Sequence, residues 1–275
     1  MLVSDFSEEE VRATIWGCDS SKSPGPDGFN FGFIKSCWDI LKKDVMSTVK
    51  DFAGFGCWPR GSNALFLRLI PKVENPQQLG EFRPISLVGC LYNIISKALS
   101  LHLKKVIGKI IDIRQSAFIE GRGLLDSVLI TNEVLEDYKR KRKQCIFFKV
   151  DYEKAYNSVK WDFIYYMLRR LGFCDRWIRW IKGCLESASV SILVNGSPTK
   201  EFFPRKGLRQ GDPLAPFLFL TGVTRVAEEK KLIDSLEVGK GKVKVNMLQY
   251  ADDTLFFCEA NTKSDGISCV LLESK

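Results

Sequence analysis

The sequence predicts an α+β fold, and three observations carry that expectation. Two apolar, β-prone runs within Val243–Cys258 flank Tyr250-Ala251-Asp252-Asp253, the pattern of two strands joined by a tight turn. A second apolar run, Cys145-Ile-Phe-Phe-Lys-Val, reads as a buried strand that ends at Asp151. Between and around these runs lie amphipathic stripes at helical spacing, including Ile34, Trp38, Leu41, Val45, Val49 and Phe52.

The remaining elements follow in order. Ser7-Glu-Glu-Glu-Val11 opens a helix in which Ser7 caps the first turn and Glu10 reaches back, as in a capping box. Ser20-Ser-Lys-Ser-Pro-Gly-Pro-Asp-Gly28 is a turn-rich loop whose backbone N–H groups and Lys22 are suited to a phosphate, or which is an ordinary surface loop. A strand-like run over Asn63–Lys72 is closed by Pro71, and Glu81-Phe-Arg83-Pro-Ile-Ser-Leu87 reads as the approach to a helix over Cys90–Val106. Ile110–Gly123 reads as a loop with a short strand, followed by an amphipathic helix over Leu124–Lys143 with a basic end. Trp161, Ile164, Tyr165, Leu168 and Leu171 form one core-facing stripe; Trp177, Ile178, Ile181 and Leu185 form another. Asn195-Gly196 is the type I′ turn of the clearest hairpin in the chain. A helix begins at Phe217.

Composition narrows the class. With 45% hydrophobic and 12% aromatic residues in 275, the chain has the makings of one large domain or two lobes. No apolar run approaches the ~20 residues of a membrane helix, and the acidic N-terminus lacks the plan of a signal peptide. The expectation is an intracellular protein, nuclear or otherwise, with no membrane partner. Nine cysteines without a CxxC pair and the single His102 argue against a zinc finger or a disulfide scaffold. His102 is expected on a helix surface rather than in chemistry. A net charge of +8 favours phosphate-backbone partners.

The unusual feature is three acids. Asp252 and Asp253 are adjacent in a turn, and Asp151 ends a strand. Like charges held together need a cation between them, and a hard oxygen-seeking ion such as Mg²⁺ takes few carboxylates and leaves room for substrate phosphates. Paired ions at about 3.5–4 Å would clamp the attacking and leaving oxygens of an in-line phosphoryl displacement. An unrelated nuclease or cyclase with paired aspartates is the distant alternative.

Three stretches in this order, Phe-Lys-Val-Asp151-Tyr-Glu-Lys-Ala-Tyr156, Gly207-Leu-Arg-Gln-Gly-Asp-Pro-Leu-Ala-Pro216 and Tyr-Ala-Asp252-Asp253, resemble the polymerase motifs of reverse transcriptases. More narrowly they resemble those of plant-like non-LTR (LINE-type) retrotransposons, over about Asp19–Cys258. The resemblance implies right-hand polymerase fingers and palm, with an antiparallel palm sheet backed by helices. It divides the chain into an N-terminal helical extension (1–62), fingers (63–144), palm (145–260) and a truncated tail toward a missing thumb (261–275).

It further implies RNA-directed DNA synthesis, with Asp151, Asp252 and Asp253 catalytic. Those acids and the backbone carbonyl of Tyr152 would hold two Mg²⁺ ions, with Mn²⁺ as a substitute. Lys72, Arg83, Tyr156 and Gln210 would bind the nucleotide, Tyr156 excluding the ribose 2′-hydroxyl. Lys22, Arg114, Gln115, Arg122, Arg209 and Tyr250 would touch nucleic acid. The partners implied are an RNA template, a DNA primer and deoxynucleoside triphosphates, with endonuclease and thumb regions lying elsewhere in a full-length element. The chain departs from the family at Asn157, where a second aspartate is usual, and in a shortened 221–246 segment containing Ala227-Glu-Glu-Lys-Lys. The alternative is a catalytically inactive relic that binds nucleic acid at most weakly.

Overall fold

The computed structural model describes residues 2–112, 114–151, 155–223, 236–239, 243–251 and 253–259. The side chains of residues 151, 155, 222 and 223 are not part of that description. In chain order the elements begin with α1 (Glu8–Trp16), α2 (Phe31–Ser36), α3 (Trp38–Phe55), β1 (Ala64–Pro71), β2 (Phe82–Val88), α4 (Cys90–Ile110) and α5 (Leu124–Arg140). There follow β3 (Cys145–Asp151), α6 (Ala155–Ser158), α7 (Trp161–Arg170), α8 (Asp175–Glu186), β4 (Ser189–Val194), β5 (Ser197–Pro198) and α9 (Ala215–Val223). The last strands are β6 (Leu236–Val238), β7 (Val243–Val245), β8 (Met247–Tyr250) and β9 (Asp253–Glu259). This is the mixed α+β composition expected. Among the described residues no helix is long and apolar enough to cross a membrane.

The chain divides into two compact units. The first comprises Met1–Val106 and Tyr156–Phe219, the second Ile107–Ala155 and Leu220–Lys275. The first holds a sheet in the order β2-β1-β4-β5. β1 pairs antiparallel with β2 from Leu65↔Val88 to Pro71↔Phe82 and parallel with β4 from Ala64↔Ser189 to Leu67↔Ile192. The approach to α4 is therefore a strand rather than the irregular segment expected. Pro84 is tolerated because β2 is the sheet's edge, where a missing N–H costs no ladder bond. β4 and β5 form the expected hairpin, with Asn195 at φ 50° and Gly196 at φ 83°.

The helical stripes read from the sequence close the core of this unit. Trp177 and Trp180 of α8, Phe52 of α3 and Tyr92 of α4 are almost wholly buried. Each such side chain contributes roughly 1.5–3 kcal/mol by leaving water. His102 of α4 joins them, 1% exposed, which corrects its expected surface position. Its ring stacks on Phe6 at 5.0 Å and its Nε2 lies 2.7 Å from Glu10 Oε1. Ser7 caps α1 through the Glu10 N–H, as read from the sequence, but the Glu10 carboxylate goes to His102 instead.

The Ser20–Gly28 loop is also built into this unit. Asp27 accepts the Cys90 N–H at 2.6 Å, so the anion at the start of α4 is the protein's own carboxylate. A Cβ on Gly25 would lie 2.4 Å from the Val88 carbonyl carbon and 2.5 Å from the Gly89 nitrogen. Backbone cannot yield as a side chain can. Gly25→Ala is therefore expected to cost about 1–3 kcal/mol of stability, read as a lower urea midpoint at unchanged slope.

The second unit contains the antiparallel sheet β3-β9-β8 and the two-stranded β6-β7 ribbon. Val134 and Tyr138 of α5 pack with Leu236, Val238, Val245, Leu248 and Phe257 in one apolar cluster. α5 ends with its basic residues near its C-terminal carbonyls, where Lys141 pairs with Asp137.

Candidate active site

The sheet of the second unit positions the acids. β3 runs antiparallel to β9 along its whole length, and the register ends on Asp151↔Asp253. The acid that closes one strand therefore stands directly opposite the acid that opens another, although about a hundred residues separate them in the chain. β8 and β9 pair down to Tyr250↔Asp253, and Ala251 leaves β8 in a turn. That is the tight turn expected between the two apolar runs. Ala251 has φ 54°, a left-handed conformation that costs an L-residue roughly 1–2 kcal/mol without glycine's freedom. Asp252 and Tyr152 lie outside the described residues, as does the shortened segment's Ala227-Glu-Glu-Lys-Lys.

Asp253 is half exposed, and Lys149 Nζ lies 2.9 Å from its Oδ1. Sequence reading passed over this lysine. Its position two residues before Asp151 on an otherwise apolar strand was the available signal. The ammonium shows that the Asp253 carboxylate accepts a cation at this edge of the sheet. Among the described residues no group of three His, Cys, Asp or Glu is assembled to hold a metal. What the structure does provide is the pairing of the Asp151 and Asp253 backbone positions by strand register. A carboxylate such as that of Asp253 is a hard donor, of the kind that suits Mg²⁺ rather than a thiophilic ion.

A second constellation lies in the first unit. Gly207 donates its N–H to Val159 O at 2.7 Å, Leu208 donates to Tyr156 O at 2.7 Å, and Trp161 Nε1 donates to Gly207 O at 2.8 Å. Gly207 has φ 88°, and a Cβ there would come within 2.9 Å of Asn157 O. Only glycine lets the two segments approach so closely. Ser86 of β2 donates its N–H to Gln210 O at 3.0 Å, fixing the same loop to the sheet. The result is a cavity of about 160 Å³, with Leu67, Ser86, Asn157, Trp161 and Gln210 among its lining residues. Tyr156 stacks on Phe219 at 4.8 Å, with the rings 11° apart.

Lys72 and Arg83 both lie at the far end of the β1–β2 ladder. Arg83 stands opposite Ile70, and Lys72 donates its backbone N–H to Glu81 O at 2.7 Å. Both side chains are exposed, and Lys72 Nζ donates to Gly80 O at 2.8 Å. Lys22 and Tyr250 are likewise exposed.

Of four residues expected to touch nucleic acid, Gln115 is buried, which corrects its assignment, and the three arginines are half-buried and bond to the protein itself. Arg114 forks onto Asp112, with Nε at 2.6 Å from Oδ1, and also donates to Asn246 Oδ1 at 2.7 Å. Arg122 donates to the carbonyls of Gln115, Ile111 and Gly108, satisfying the end of a helix and the loop after it. Gln115 is 1% exposed. Arg209 donates to Asn63 Oδ1 at 2.9 Å and Cys184 O at 2.8 Å while lying 4.3 Å above the Tyr92 ring. For the three arginines, the planar guanidinium is offered several acceptors at once by the protein. Burial raises the Tyr92 pKa well above its usual range; Arg209 opposes that shift and Asp212, hydrogen-bonded to the Tyr92 hydroxyl, adds to it.

The structure is a mixed α+β chain in which a strand-end aspartate pairs with the aspartate that opens the next strand. The sequence profile described as reverse transcriptase (RNA-dependent DNA polymerase) matches residues 70–273, and the chain belongs to that family. It is 28% identical over 259 residues to the transposon TX1 uncharacterized 149 kDa protein of Xenopus laevis, covering 94% of this chain and 20% of the relative. It is 27% identical over 256 residues to the Retrovirus-related Pol polyprotein from type-2 retrotransposable element R2DM of Drosophila melanogaster, covering 93% and 23%. A third relative, the corresponding polyprotein from type-1 retrotransposable element R2 of Popillia japonica, is 26% identical over 251 residues, covering 91% and 34%. The chain thus spans between a fifth and about a third of these relatives' length.

Proposed function

We propose that this chain is the RNA-directed DNA polymerase domain of a non-LTR retrotransposon. The single observation that supports this most is the Asp151↔Asp253 register at the edge of a hairpin carrying Asp252. In this reading the β1–β2 ladder belongs to the fingers (63–144), and β3, β8 and β9 to the palm (145–260) of a right-hand polymerase. Residues 1–62 form the helical extension.

Asp151, Asp252, Asp253 and the Tyr152 carbonyl would hold two Mg²⁺ ions. When bound, the ions neutralise the triphosphate and lower the barrier to attack by the primer 3′-hydroxyl. Lys72 and Arg83 bind the triphosphate; the planar fork of arginine takes two phosphate oxygens at once. Gln210 and the glycine-bounded loop around it follow the nucleotide or the template. Lys22 and Tyr250 contact nucleic acid. The substrates are an RNA template, a DNA primer and deoxynucleoside triphosphates.

Tyr156 excludes the ribose 2′-hydroxyl, and its stacking on Phe219 supports that role because a ring held against another ring cannot swing aside. Tyr156→Val is expected to raise ribonucleotide incorporation relative to deoxynucleotide by about 10- to 100-fold. Competitive single-nucleotide addition measures the ratio, and an unchanged ratio removes Tyr156 from this role. Primer extension on an RNA template, with and without chelator, tests the function as a whole. No extension above a Asp253→Asn control would favour the inactive-relic reading, for which Asn157 is the motivating departure.

A further inference from the structure

Gln115 lies in a segment that runs as a strand fragment beside β8. Gln249 donates its N–H to Arg114 O at 2.9 Å, and Ser116 donates back to Gln249 O at 3.0 Å. Between these bonds the Gln115 side chain is shut away from solvent. Its Oε1 accepts the Ala117 N–H at 2.9 Å and the Ala251 N–H at 3.2 Å. Both neighbours are obligate donors, so the carboxamide has only one orientation that satisfies them.

The other side of the amide belongs to the same row. Gln115 faces Gln249 in a β-bridge, and Gln249 faces Thr254 across β8 and β9. All three are at least 98% buried. Gln115 Nε2, Gln249 Oε1 and Thr254 Oγ1 have no hydrogen-bond partner among the described residues. Buried polar atoms of this kind are costly and mark strained or functional places. Among the described residues the Gln115 side chain bonds to the acidic turn, and it holds Ala251, whose left-handed backbone lacks glycine's freedom.

We infer that Gln115 is a positioning residue: by accepting the Ala251 N–H it fixes the turn that carries Asp252 and presents Asp253. This deepens the proposed function and rests on it for the consequence to catalysis. It also gives Gln115 a task that a template contact, impossible for a side chain so enclosed, does not supply. Without this acceptor the turn loses the side-chain tether at Ala251. A cation that Asp253 and the acids beside it would hold should then be held less well.

The test uses the full chain with Gln115→Met, which keeps the volume and removes the acceptor. Gln115→Asn keeps the amide but is too short to reach Ala251. Gln115→Glu restores an acceptor. Hydrogen exchange at the Ala251 amide, Mn²⁺ binding by electron paramagnetic resonance without nucleotide, and kcat against KM are the readouts.

For Met and Asn, Ala251 protection should fall and the Mn²⁺ dissociation constant should rise, each by about fivefold to tenfold, the scale of one hydrogen bond. kcat should fall with the KM for nucleotide unchanged, and Glu should recover the Ala251 protection. Gln249→Met, buried equally, should lower thermal stability and leave Mn²⁺ affinity unchanged. Unaltered Ala251 exchange and Mn²⁺ affinity in a folded Met or Asn variant overturn the inference. Lost protection in a chain whose wild type never extends a primer upholds the tether and overturns the polymerase reading.

Discussion

Replacing Asp253 by asparagine is expected to abolish nucleotide incorporation while leaving the fold in place. The carboxylate is half exposed and its one described ion pair, with Lys149, is between two solvent-accessible groups. Pairs of that kind contribute about 0–1 kcal/mol, so the thermal midpoint should hardly move. Chemistry should respond far more strongly. A carboxylate that holds a bridging cation supplies several kcal/mol of transition-state stabilisation, and the neutral amide forfeits most of it. A loss of about 4 kcal/mol corresponds to a rate on the order of 10³-fold lower. The same result is expected for Asp151→Asn, whose strand position faces Asp253 in the ladder. Single-turnover primer extension beside circular dichroism separates the two effects. Near-normal incorporation by either variant would end the metal-holding role.

Arg209→Met should do the reverse. Arg209 sits in the Gly207–Pro216 stretch that resembles a polymerase motif, yet its donors go to Asn63 Oδ1 and Cys184 O and its cation covers the Tyr92 ring. Tyr92 in turn donates its hydroxyl to the Asp212 carboxylate, which is 5% exposed and also accepts the Leu214 N–H at 2.9 Å. Methionine fills a similar volume but leaves the Asn63 and Cys184 acceptors short of donors and removes the cation from the Tyr92 ring. The expected cost is about 2–4 kcal/mol, measured as a fall in the urea midpoint. Nucleic-acid affinity of the remaining folded protein should be unchanged. A variant that keeps its stability and loses affinity would return Arg209 to the nucleic-acid surface.

The strands of the candidate site were legible where the chain itself carried the pattern. The apolar runs around Tyr250–Asp253 and before Asp151 became β8, β9 and β3, because alternation and β-branched content act locally. Asn195-Gly196 became its hairpin for the same reason. The strand over Phe82–Val88 was missed, since Pro84 argues against a strand until the edge position is known. His102 was missed as well. A lone histidine among lysines on a helix looks solvated, and only the folded chain brings Phe6 and Glu10 onto it.

The amino-acid order alone determined the α+β character, the tight acidic turn, and the membership signalled by three motifs in sequence. Those properties depend on neighbours within a few residues, or on the order of short segments. Which arginines face solvent, that Asp151 meets Asp253, and that Gln115 holds Ala251 were decided by tertiary structure. Each depends on strand register and on hydrogen-bond acceptors contributed from distant parts of the chain. A side chain's donors go to whichever acceptors the fold delivers, and no local pattern specifies that delivery.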